Sequence, residues 1–191
     1  YAGYGEGNFI FSYSDDGKAY TPVVLEKGET KLSEIEHKFA NMYKWQIYTV
    51  DIQAKYIKIE PISGSLPVLE AAFKNEQGEL IVPEKVIPSS AQALFDEQAL
   101  VPEESTYMTD FYFDEIYHVR TAYENIHGIE PYEITHPPLG KLILACGIQL
   151  FGMNPFGWRF MGTLTGVLML PVMYIFAKML FKKSKYAAIA T

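Results

Sequence analysis

Asp114 and Glu115 stand side by side near the start of YFDEIYHVRTAYENIHGIEPYEITHPPLGK (112–141), a stretch that also carries His118, His127, His136 and Lys141; Arg159 follows. A positioned carboxylate can take the proton of a hydroxyl nucleophile. Cations can stabilise the charge that gathers on a departing phosphate. These residue types could serve proton removal at Asp114 and Glu115 and hold an anion such as a lipid phosphate at His136, Lys141 and Arg159. Tyr117 and His118, beside the acids, are candidates to contact acceptor or donor. The scheme calls for no metal and no cofactor. The acids are adjacent rather than at ligand spacing, and His118, His127 and His136 follow no zinc pattern, although a bound divalent ion stays compatible with them.

The elements that would position these groups are helical. Ile116, Val119, Tyr123 and Ile126 recur at three- and four-residue spacing, so a helix is expected from Asp114 to His127, ended by Gly128 and Pro131. Both acids then fall in its first turn, where they also complement the helix dipole, worth about 0.3–1 kcal/mol each. In THPPLGKLILACGIQLFG, Pro137 or Pro138 opens a second helix and Gly152 closes it. Lys141 sits in its first turn and Arg159 at the start of the next helix, both opposed by the dipole. Two helix N-termini with added cations can form an anion site; the same side chains could instead snorkel to lipid phosphates. The helix from Leu139 to Phe151 would be roughly 20 Å long, too short to span a bilayer and suited to its interface.

From Phe160 to Ala177 no residue carries a formal charge, and Lys178 alone interrupts the run to Phe181. A transmembrane helix over 160–181 is expected, kinked at Pro171. Lys182, Lys183 and Lys185 then place residues 182–185 in the cytoplasm and residues 1–159 outside, in a multi-pass protein of the cell membrane. The charge divides accordingly: residues 1–113 hold 18 acids and 9 bases (9 − 18 = −9), and residues 114–191 hold 5 and 7 (7 − 5 = +2). Averaged over 191 residues, 49% hydrophobic content conceals this division. The opening Tyr1 and the closing KYAAIAT, which reads as the start of another apolar segment, lead us to expect a piece of a polytopic protein. Cys146, the sole cysteine, can form no intrachain disulfide. The lipid bilayer is an expected partner; nucleic acid is not.

Residues 1–86 read as short strands. Phe9, Phe11 and Tyr13 alternate with more polar neighbours, Asp16-Gly17 offers a hairpin turn, and YKWQIYTVDI, AKYIKIEPI and LEAAFKNEQGELIV continue the pattern. An all-β sandwich is expected. FSYSDDGKAYTPV, YKWQIYTVDIQAKYIKIEPI and VLEAAFKNEQGEL resemble the discoidin-type, galactose-binding-like jelly roll over about residues 5–83. That resemblance implies a glycan-binding end, while the alternating aromatics also suit a core. Residues 87–110, rich in Pro, Ser and acids, read as a linker that Phe95 and Leu100 could tack down.

FDEIYH, THPPLGKL and FGWRFMGTLTGVLMLPVMY resemble the bacterial branch of the protein O-mannosyltransferase family, C-type membrane glycosyltransferases that take a sugar from a polyprenyl-phosphate carrier. The resemblance runs over about residues 110–181. It implies that Asp114 is the base and Glu115 its partner, that His136 opens the HPP motif, and that Lys141 and Arg159 lie near the lipid phosphate. It further implies a polyprenyl-phosphate-mannose donor, Ser/Thr hydroxyls of proteins as acceptors, and inversion at the anomeric centre. Two other readings stay open: the same donor with a lipid or polysaccharide acceptor, and a membrane-tethered glycan-binding protein. The β-rich segment is an addition to the mannosyltransferase pattern.

Overall fold

The computed structural model describes all residues except Gly28, Glu29 and Leu66, and without the side chains of 26–32. The chain forms two compact units, Tyr1–Asp110 and Phe111–Thr191. The first is β-rich, with β1 (Gly7–Ser14), β2 (Thr21–Pro22), β3 (Leu25–Lys27), β4 (Thr30–Leu32), β5 (Ile35–His37), β6 (Tyr56–Gly64), β7 (Phe73–Lys74) and β8 (Leu80–Ile81). β6 runs antiparallel along the whole of β1, whereas β2 pairs only with Ser12 and Tyr13 and β5 only with Gly7 to Phe9. β2 and β5 therefore share the other edge of β1. Two separate hairpins, β3–β4 and β7–β8, complete the strands.

Among the described residues this does not make the closed two-sheet sandwich expected from the alternation. YKWQIYTVDI is irregular rather than a strand. Its aromatics gather at the N-terminus instead: Trp45 and Tyr43 lie 5.5 and 6.4 Å from the Tyr1 ring. Tyr43 itself takes a left-handed φ of 49°, which breaks an extended path. The predicted turn at Asp16-Gly17 does form. The Asp16 Oδ1 accepts from Lys18 and Ala19 N–H at 2.8 and 3.1 Å, and Gly17 adopts φ 71°. Phe9, Val23, Leu25 and Ile35 make the core, with Phe11, Tyr13 and Ile59 against it. Phe9, Phe11 and Tyr13 thus serve as core, as alternation across a half-buried sheet requires.

Residues 87–110, expected as a linker, pack into this same unit. They contain short 3-10 turns at Ser89–Phe95 and Gln98–Leu100. Phe95 stacks on Phe73 at 5.8 Å, Ala71 N–H donates to Leu94, and Gln98 Nε2 donates to the buried Glu70 at 2.8 Å. Leu100 stays exposed and tacks down nothing.

The second unit is helical: α1 (Glu115–His127), α2 (Pro138–Phe151), α3 (Pro155–Phe181) and α4 (Ser184–Ala190). Gly128 ends α1 in the left-handed conformation, φ 66°, with Ile129 N–H returning to Glu124 O at 2.9 Å. Val119 and Ala122 of α1, Ala145 and Ile148 of α2 and Trp158 of α3 form one core. At 14 residues α2 is about 21 Å long, below membrane span, and α3 at 27 residues is about 40 Å. α3 is the one helix among the described residues long and apolar enough to cross a membrane, and only 6% of its apolar window is buried within the protein. It starts at Pro155, five residues before the expected span, because Asn154 caps it by accepting from Gly157 N–H at 2.9 Å.

Candidate active site

The acid pair divides at the start of α1. Phe113 takes a left-handed φ of 47°, rare for a bulky residue, and its turn puts Asp114 at the N-cap rather than inside the first turn. Asp114 caps no N–H with its side chain and is exposed. Glu115, the first helical residue, reaches back to accept from Tyr112 N–H at 2.9 Å. Arg159 grips the same carboxylate from two sides, Nε to Oε1 at 2.8 Å and Nη2 to Oε2 at 2.6 Å. Such a fork-to-carboxylate pair fixes both position and plane. Partial burial pushes the Glu115 carboxyl up, but the Arg159 hydrogen bond, Tyr112 N–H, the Arg159 charge and the neighbouring Trp158 indole outweigh it and hold the group below its ordinary value.

Arg159 is delivered by a tight elbow between α2 and α3. Gly147 and Gly157 face each other so closely that a Cβ on Gly147 would lie 2.4 Å from Gly157 O, and one on Gly157 would lie 2.0 Å from Gly152 O. Glycine at both positions lets the backbones touch. Trp158, 1% exposed, stacks on Phe111 at 4.6 Å and anchors the same turn. Its buried indole N–H makes no hydrogen bond of normal geometry, although it lies close enough to Glu115 to favour that residue's anion.

Asp114, Glu115, His118, Leu144, Trp158, Arg159, Gly162 and Thr163 border one open cleft of about 440 Å³, between the start of α1 and the first turns of α3. It therefore holds a solvent-facing carboxylate with no ion pair among the described residues, a guanidinium, an imidazole and an apolar floor.

Lys141 does not join it. Its ammonium is buried, 3% exposed, and is ion-paired with Glu133 while donating to the carbonyls of Glu133 and His136. A buried cation in the first turn of α2 needs an opposite charge, and Glu133 supplies one within reach. The expected convergence of Lys141 with Arg159 is thus corrected: the two cations serve different carboxylates. Glu133 also accepts from Thr135 N–H and Oγ1–H and from His136 N–H, and lies 3.2 Å from His136 Nδ1. Hydrogen bonds from Lys141 first, then Thr135, hold its carboxyl well below the usual carboxylate range. His136 meets the edge of His118 with ring centroids 5.2 Å apart, so it adjoins the cleft wall through His118. Tyr117 stacks on Tyr132 at 6.5 Å and is not among the lining residues.

Sequence reasoning missed the layer beneath. Glu124, 1% exposed, accepts from Arg120 Nε at 2.8 Å and from Tyr132 N–H at 2.7 Å, and Thr121 Oγ1 accepts from Glu133 N–H at 3.3 Å. Arg120 also covers the Tyr132 ring, 4.0 Å from its centroid. The Arg120-to-Glu124 spacing is visible in sequence as an i, i+4 pair; its burial is not. Among the described residues no group of three or more His, Cys, Asp or Glu could hold a metal.

No family model matches the chain, and no solved structure does. The chain is similar to curated proteins named "polyprenol-phosphate-mannose--protein mannosyltransferase". One, from Mycobacterium tuberculosis, is 36% identical over 84 residues, covering 41% of this chain and 16% of that protein. Another, from Mycolicibacterium smegmatis, is 34% identical over the same shares. The chain thus matches about a sixth of the length of these relatives.

Proposed function

We propose that the helical unit belongs to a membrane glycosyltransferase that moves mannose from a polyprenyl-phosphate carrier to Ser or Thr hydroxyls of proteins, with inversion. The single observation that carries the reading is the cleft in which the exposed carboxylate of Asp114 and a carboxylate-held Arg159 meet at the head of a membrane-length helix. The similarity to proteins named for this activity supports the choice of donor and acceptor.

In this reading Asp114 takes the proton of the acceptor hydroxyl as the oxygen bonds to the anomeric carbon. The bond from that carbon to the phosphate oxygen breaks on the opposite face, and the electron pair leaves with the polyprenyl phosphate. General-base help of this kind contributes about 10²–10⁴-fold. Arg159 stabilises the growing phosphate charge, and Glu115 holds the guanidinium plane in place rather than acting as a second base. His118 faces donor or acceptor from the wall, and His136 supports it from behind. The apolar residues of α3 would accompany the isoprenoid chain into the bilayer. Tyr117 remains a candidate acceptor contact at the outer surface.

The test is to incubate membranes holding the full-length protein with labelled polyprenyl-phosphate-mannose. Label should enter protein; entry into lipid or polysaccharide alone would overturn the acceptor. Arg159→Ala should raise the donor KM by about tenfold or more, as expected for loss of a charge-assisted contact. An unchanged donor KM would remove Arg159 from the phosphate.

A further inference from the structure

The pairing of Lys141 has a consequence for the HPP segment, and the inference drawn from it rests on the function proposed above. Lys141 is 3% exposed, and its ammonium contacts three acceptors of the 133–136 segment: the Glu133 carboxylate, the Glu133 carbonyl and the His136 carbonyl. Glu133, whose side chain is 12% exposed, spends its other oxygen on Thr135 and His136. The segment is therefore pinned at both ends of one ion pair, from the first turn of α2 below and from its own N–H groups above. The segment presents His136, whose side chain is 63% exposed and whose ring meets His118 at the cleft wall. Thr121 of α1 secures the same segment by accepting from Glu133 N–H.

We infer that Glu133 and Lys141 form a buried positioning couple that sets His136 against His118 at the edge of the cleft, so that Lys141 acts on transfer through the HPP segment and not by touching the donor's phosphate. The physical ground is occupancy. An ammonium offers three donors; two go to the Glu133 and His136 carbonyls, and the Glu133 carboxylate lies against it as the counter-charge. Its burial leaves no face open to a ligand, and taking it to a phosphate would strand Glu133 as an uncompensated charge. Neither residue is a catalytic residue in this sense; both act through the geometry of His136. Small displacements of a positioned group are costly in rate while leaving ground-state binding intact.

The experiment uses the full-length protein in membranes and has two readouts. The first is independent of activity: amine-reactive labelling of lysines, read by peptide mass spectrometry. Lys141 should label at least tenfold more slowly than Lys182 or Lys183 in the wild type, and Glu133→Gln should remove that protection. The second is kinetic. Glu133→Gln and Lys141→Met should each lower kcat by about 10–100-fold with the donor KM within about twofold, and the double variant should be no slower than either single one, because members of one couple are not additive. Glu133→Asp, which keeps the charge, should recover part of the rate. Fast labelling of wild-type Lys141, a raised donor KM in Lys141→Met alone, or multiplicative losses in the double variant would each overturn the couple. If the wild type transfers no mannose at all, the proposed function fails, and the couple is judged on the labelling alone.

Discussion

Two ionisable groups of the β-rich unit are buried differently from the acids of the helical one. Glu70 and His37 meet neutral side chains, Gln98 Nε2 at 2.8 Å and Gln46 Nε2 at 2.8 Å, with Asp96 and Glu97 near the first and the N-terminus and Glu6 near the second. Burial accordingly pushes the Glu70 carboxyl up and the His37 imidazole down, each toward its uncharged form. In the helical unit every buried or half-buried acid has a cation: Glu115 with Arg159, Glu124 with Arg120, Glu133 with Lys141. Glu115 and Glu133 are shifted down as a result. At Glu70 and His37 burial favours the neutral form, whereas at Glu115 and Glu133 a cation favours the charged one. Among the described residues two exposed side-chain carboxylates of the helical unit, Asp114 and Glu130, have no such clamp, and of the two only Asp114 borders the cleft. That placement is why the proposed function gives Asp114 the proton-accepting role.

The largest test of the contrast is therefore Asp114→Asn, which should lower transfer by about 10²–10⁴-fold while donor binding persists; normal turnover would strip Asp114 of its special standing. Next, Glu124→Ala should destabilise the helical unit by about 3–5 kcal/mol, because it removes the buried carboxylate that Arg120 Nε and Tyr132 N–H share, seen as lost protection of α1 amides in hydrogen exchange. A pH series should then separate the units. The lowered Glu115 and Glu133 contribute stability that is full above the ordinary value of 4.5 and is lost as pH falls toward their folded values. The raised Glu70 contributes stability that is present below 4.5 and is lost as pH rises through its folded value. Exchange protection around α1 and α2 should thus fall on acidification while that around Glu70 holds or improves; parallel behaviour would erase the distinction. The smallest effect is expected for Glu70→Gln, which should leave the melting temperature unchanged or slightly higher at neutral pH, since the group removed is disfavoured as an anion.

Much of the helical unit is readable from residue order. The three- and four-residue spacing of Ile116 to Ile126, the Gly128 stop, the proline start at Pro138 and the uncharged run after Phe160 are all local signals, and local signals survive folding. Which cation meets which acid is not local. Arg159 reaches 44 positions back to Glu115, and Lys141 turns 8 positions back to Glu133, a choice made by the α2–α3 elbow and by the 129–137 loop. The β-rich unit shows the reverse balance. Alternation finds β1 and β6, yet it cannot show that Tyr43 and Trp45 prefer the Tyr1 ring to a strand partner, because that competition is settled by tertiary packing.

Because Gly147 and Gly157 leave no room for a side chain at the elbow, bulk added at either position would have to push α2 and the opening turns of α3 apart. Such a widened elbow would carry Arg159 away from Glu115, so two residues without side chains set the reach of the guanidinium.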